Sequence, residues 1–116
     1  MIRKLVITGA AAAALLIPAT AANASVLINA PDTHPYCGDA IKVGTWAQSW
    51  TTGNRQITIT ARYLNSGRVF WQRTVVASKR NWNFYYIAPY NCANTKITYS
   101  GPGWSQSYRI YFGVGD

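Results

Sequence analysis

From residue 25 onward the apolar positions of the chain fall on a two-residue period. Ile57, Ile59, Ala61 and Tyr63 alternate with Thr58, Thr60 and Arg62, and Tyr108, Ile110, Phe112 and Val114 alternate with Arg109, Tyr111 and Gly113. Successive side chains of a strand point to opposite faces, so this period predicts half-buried strands over residues 55–64 and 108–114. Residues 40–50 are more ambiguous, with Ile41, Val43 and Ala47 on one face and Trp46 and Trp50 on the other. Residues 81–87 set Trp82, Phe84 and Tyr86 against Asn83, Tyr85 and Ile87. Short apolar pieces at 25–29 and 96–99 complete a set of six to seven strands. Gly, Asn, Ser and Thr punctuate the chain between them, and no window after residue 24 carries a helical period. That pattern predicts an all-β sandwich or barrel.

The clearest element is a hairpin joining residues 55–64 to 68–76 through Asn65-Ser66-Gly67. Two registers compete. A three-residue loop with Gly67 left-handed pairs Leu64 with Arg68, and it places Val69, Trp71 and Val75 on the face of Ile57, Ile59, Ala61 and Tyr63. A two-residue loop at Ser66-Gly67 puts Phe70, Gln72, Thr74 and Val76 there instead. A one-residue slip turns every side chain over, so burial decides. The first register gathers more apolar residues on one face, at the cost of Arg73, and is the expected one; it makes Trp71 a core residue. Phe84, Tyr63, Tyr108 and Phe112 are expected in the core by the same alternation.

The beginning of the chain has a different character. Arg3 and Lys4 precede an alanine-rich apolar run from Leu5 to Ile17, Pro18 ends it, and Ala22 and Ala24 place small residues at −3 and −1 of a cut after Ala24. This is the pattern of a secretory signal peptide over residues 1–24, of bacterial appearance, which makes residues 25–116 a secreted, extracellular domain. The apolar run is too short for a membrane span, so no transmembrane segment is expected after cleavage. Residues 25–116 carry nine Lys and Arg against three Asp and no Glu, a formal charge of +6. Such a surface attracts anionic polymers. The pair Cys37 and Cys92, in an exported chain, is expected to form one disulfide. Two cysteines and the single His34 do not make a zinc set, so neither metal nor cofactor is expected.

Trp50 lies 13 residues after Cys37, and Tyr90 lies two before Cys92. This resembles the Cys, Trp, Tyr-x-Cys arrangement of immunoglobulin domains. The resemblance covers these four residues and departs from the family in placing Cys37 in a Pro/Gly loop, so the disulfide is open to tying two loops rather than crossing the core. Together with the strand pattern it implies a small antiparallel immunoglobulin-like β-sandwich with one disulfide.

The groups that enzymes use near neutral pH are scarce. His34, Asp32 and Asp39 share one loop, Asp116 is the last residue, and no nucleophile motif or phosphate-binding glycine loop occurs. A non-enzyme is expected. The aromatic content points to binding instead: five Trp, eight Tyr and three Phe, all after residue 24. Trp50, Trp82 and Trp104 adjoin turns. Left exposed, such rings stack on the apolar C–H faces of sugars, with Tyr111, Lys79, Arg80 and Arg109 supplying polar and cationic contacts. The expected function is a monomeric secreted module that binds polysaccharide or an anionic cell-wall polymer. The alternative is an inhibitor or antimicrobial toxin acting on a protein partner or an anionic envelope, with 79–82 as its contact loop. Nucleic acid is an unexpected partner for an exported domain.

Overall fold

The computed structural model describes residues 16–18, 26–48 and 55–113. Its strands are β1 (Leu16–Pro18), β2 (Val26–Asn29), β3 (Ile41–Ala47), β4 (Gln56–Tyr63), β5 (Val69–Val76), β6 (Asn83–Ile87), β7 (Thr95–Gly101) and β8 (Trp104–Ile110). All pairings within the sheets are antiparallel. One sheet has the order β2-β3-β6, with the short β1 added beside β2; the other has the order β5-β4-β7-β8. Lettering the seven strands from β2 onward A to G gives sheets A-B-E and D-C-F-G. This is the immunoglobulin-like Greek-key sandwich, with the fourth strand paired to the third instead of the fifth.

The core lies between the sheets and follows from the alternation. Ile41, Val43 and Ala47 of β3 face Ile57, Ile59 and Ala61 of β4 and Ile97 and Tyr99 of β7, all buried. Val26, Ile28, Ile87 and Ile110 close the ends. Trp71, Tyr108 and Phe112 pack against this cluster half-buried, as expected of them.

Where an immunoglobulin domain has a disulfide between its sheets, this chain has a tyrosine. Tyr99 crosses from β7 to the opposite sheet. Its hydroxyl donates to the carbonyl of Asn29 at 2.6 Å and accepts from the N–H of Gly44 at 3.1 Å. The β2–β3 ladder stops at Ile28↔Thr45, so the hydroxyl fills the next rung, where Gly44 and Asn29 would otherwise meet. Burial pushes the Tyr99 phenol well above the usual tyrosine range, and the Gly44 N–H offsets part of that rise.

Cys37 and Cys92 are joined, with Cα atoms 5.4 Å apart. The bond links the β2–β3 connection to the 3-10 turn Tyr90–Cys92 and does not cross the core. Tyr90 is 76% exposed and so takes no part in a tyrosine corner. Trp50 lies outside the described residues. The β2–β3 connection also runs beside the chain after β8, with Tyr111 N–H donating to Thr33 O and Gly113 N–H to Pro35 O.

The β4–β5 hairpin keeps the expected register through most of its length, pairing Ile57 with Val75, Ile59 with Arg73 and Ala61 with Trp71. Gly67 is left-handed as expected (φ 76°). Near the turn the register shifts by one, so that Val69 pairs with Arg62 and Phe70 is the extra residue of a β-bulge. Val69 is therefore 39% exposed instead of buried. Phe70 stacks on Tyr63 with centroids 4.4 Å apart, a contact that accounts for the shift. Arg73 stays on the inner face but at the edge of the sheet. Its guanidinium lies 5.8 Å from the Trp71 ring and 5.7 Å from that of Tyr85 on the other sheet. The last strand begins at Trp104 and ends at Ile110, earlier than the expected 108–114.

Candidate functional site

The outer face of β3 and β6 carries an array of rings. Pairing sets Lys42 beside Tyr86 and Gly44 beside Phe84. The row continues with Trp46 of β3 and with Trp82, immediately before β6, whose centroids are 6.4 Å apart. Trp82 and Phe84 are nearly parallel, at 8° and 5.6 Å. Lys42 Nζ sits 4.2 Å from the Phe84 centroid, a cation–π contact at the far end of the strip. Phe84 is 38% and Tyr86 62% exposed, while Trp46 and Trp82 are half-buried by each other and by the sheet.

The floor of this strip is a glycine for a steric reason. A Cβ on Gly44 would come within 2.5 Å of Phe84 Cδ1, so only glycine lets that ring settle onto β3. The Trp82 end is held by the backbone: Arg80 N–H donates to Ala47 O at 2.7 Å and Ala47 N–H to Ser78 O at 2.9 Å. Arg80 makes that turn with φ 57°, a left-handed value for a residue with a side chain. Asn83 points inward from the same segment, and its amide donates to Ser78 Oγ. The strip is an apolar row about 13 Å long, taking two steps of two residues along a strand, in which Trp82 and Phe84 are stacked and Trp46 is tilted by 34°, with Lys42 at one end and the backbone turn of Arg80 beyond the other. No family model, curated protein or solved structure matches the chain.

The structure scatters the other residues expected at a binding surface. Trp82 belongs to the strip, Arg80 is exposed in the turn that precedes it, and Lys79 is half-buried where that turn bridges Ala47. Trp104 is on the inner face of β8, packed against the core, and lies over Gly101, where a Cβ would meet its Nε1 at 2.6 Å. It does not share a surface with Trp82. Tyr111 stacks on His34 at 6.0 Å, in the loops below the sandwich. Arg109 is exposed on the outer face of the other sheet. Trp50 is outside the described residues.

Two members of the strip escape sequence reasoning. Phe84, expected in the core, faces solvent because β6 turns Tyr85 and Ile87 inward against Val43 and Ile41. Trp46 lies on the face away from Ile41 and Val43, as the alternation predicts, but nothing in the sequence shows which partner strand it meets. The available signal was Gly44 between Lys42 and Trp46, a strand glycine that marks close approach by a ring or backbone. Among the described residues no three of His, Cys, Asp and Glu gather into a possible metal site. No helix there is long and apolar enough to cross a membrane.

Proposed function

We propose that this chain is an exported, non-catalytic module that binds cell-envelope or other polysaccharide through the Trp46–Trp82–Phe84–Tyr86 strip. The observation that carries the reading is the parallel seating of Trp82 and Phe84 on a sheet face whose floor is Gly44. Sugar rings present apolar C–H faces and a rim of hydroxyls. The exposed parts of Phe84 and Tyr86 would remove the former from water without much new ordering at Phe84, since that ring is already held by Trp82 and Lys42. Lys42 and Arg80 at the ends supply donors and positive charge for hydroxyl or anionic substituents. Two exposed rings, Phe84 and Tyr86, backed by two half-buried tryptophans form a contiguous apolar patch of the kind that meets a partner.

The protein-inhibitor reading gains less from the geometry. The 79–82 segment is firmly held, but it lays Trp82 down on the sheet instead of presenting it at a loop tip. The test is retention of the full chain on insoluble chitin, cellulose and peptidoglycan at low salt. Retention on at least one, lost in Trp82→Ala and in Phe84→Ala with unchanged melting, is the expected result. No retention on any of them, together with a stoichiometric complex with a protein, would overturn the reading in favour of an inhibitor.

A further inference from the structure

The opposite sheet presents a surface of another kind. Its outward positions form cross-strand rows: Gln72–Thr60–Thr98–Ser107, then Thr74–Thr58–Ser100–Ser105. Many of these side chains are already bonded to each other. Thr58 and Thr74 hydroxyls are 2.9 Å apart, Thr98 and Ser107 also 2.9 Å, and the Gln72 amide donates to Thr60 Oγ1 at 2.9 Å. A shallow depression of about 450 Å³ opens at the end of this grid, lined by Gln56, Thr58, Thr74, Ser100, Gly101 and Pro102.

At the other end the grid stops at a row of three cations. Arg62 pairs directly with Lys96, and Lys96 with Arg109, on three neighbouring strands. Like charges placed directly opposite destabilise a sheet. Arg62 Nη1 donates to the Gly67 carbonyl of the hairpin turn at 3.1 Å, so that guanidinium is partly engaged by the fold. The juxtaposition of the three charges itself is repulsive. Asp32 and Asp39, the acids among the described residues, sit in another part of the chain, the β2–β3 connection, and Asp116 is outside the described residues.

We infer that this face is a second binding surface, distinct from the aromatic strip, for an acidic polysaccharide whose oxyanion groups seat on Arg62, Lys96 and Arg109 while its hydroxyls lie along the Ser/Thr rows. Charge complementarity names the anion, and the pre-bonded hydroxyl grid names the sugar. Single-stranded nucleic acid is a poorer occupant, because the cross-strand rows of this face carry, among the described residues, no ring on which bases can stack.

The test uses the full chain with heparin and polygalacturonate as sulfated and carboxylated probes, dextran as a neutral probe, and polyphosphate as a polyanion without sugar. Both acidic polysaccharides are expected to bind, and dextran is not. Binding should vanish as ionic strength rises from about 0.05 M to about 0.5 M, where screening becomes shorter than the row itself. Lys96→Gln should weaken binding about tenfold, the loss of one hydrogen bond to a charged group. The triple change to Gln at Arg62, Lys96 and Arg109, made in the Trp82→Ala background so that the strip does not contribute, should abolish it. Melting temperature should stay level or rise in Lys96→Gln, because repulsion is relieved; a purely structural role would lower it, and in the triple variant the loss of the Arg62–Gly67 hydrogen bond works against that relief. Trp82→Ala should leave this binding intact, which separates it from the strip. Full binding by the triple variant, or a lowered melting temperature with binding retained, would overturn the inference. Polyphosphate bound as tightly as heparin would equally remove the polysaccharide as occupant.

Discussion

Replacing Tyr99 by Phe removes one oxygen and leaves two backbone groups facing each other across the gap it filled. The Gly44 N–H is buried and has lost its acceptor. An orphaned buried donor costs about 1–3 kcal/mol. The Asn29 carbonyl is only part-buried and can turn to water, so its loss is nearer the net value of one hydrogen bond, about 1 kcal/mol. Together the variant should lose about 2–4 kcal/mol. In a domain of this size that is a fall in melting temperature of roughly 8–25 °C. Tyr108 supplies the control. Its hydroxyl is buried, has no partner among the described residues, and meets Tyr99 edge-on at 6.2 Å. Tyr108→Phe removes a desolvated polar group that bonds nothing and should be neutral or mildly stabilising. Urea unfolding followed by tryptophan fluorescence reads both changes, with an unaltered slope showing that the same surface is exposed. If Tyr99→Phe shifts stability by less than about 0.5 kcal/mol, the strands have closed the rung without the hydroxyl and the cross-sheet pin is refuted.

Three further outcomes are expected. Both phenols are held above their ordinary range by burial. The unfolded chain therefore loses their protons first, near pH 10, and stability should fall as pH rises beyond that point, by about 1.4 kcal/mol per pH unit for Tyr99; urea midpoints between pH 9 and pH 11 measure the slope, and a flat profile would contradict the burial. Converting both Cys37 and Cys92 to Ser opens a loop spanning 55 residues of separation and should cost up to about 4 kcal/mol by the chain-entropy argument, read as a lowered urea midpoint that matches the wild type under reducing conditions. Gly44→Ala drives the Phe84 ring off β3, yet the ring can lift into solvent and alanine suits a strand better, so stability should change by less than about 1 kcal/mol while polysaccharide retention drops; retention at the wild-type level would show that the seating of Phe84 is irrelevant.

Much of this architecture is legible in the alternation of the chain. Ile57, Ile59 and Ala61 are apolar against Thr58, Thr60 and Arg62, and only one register lets Val75 and Trp71 join them, so most of the β4–β5 pairing is implicit in the chain. The bulge could not, because it depends on Phe70 finding the Tyr63 ring, a contact between residues that each suit either face. The strip was only half visible for a related reason. In β6 both alternate sets are large and apolar, and Asn83, the one polar member, travels inward with a partner, Ser78, that sequence does not reveal. The cation row was hidden more deeply. Arg62, Lys96 and Arg109 are far apart in the chain, and only the registers of two separate ladders bring them abreast.

Arg73 has a consequence for how the molecule behaves in a crowd. Strand β5 is an outer strand, with one side of its backbone open to recruitment by a neighbouring chain. Along its core-facing side, Trp71 and Val75 would form an adhesive stripe if the residue between them were also greasy. A guanidinium there, propped between two rings, interrupts the stripe where another strand would need it dry. Arg73→Val should leave the sandwich intact and make concentrated samples polymerise edge to edge.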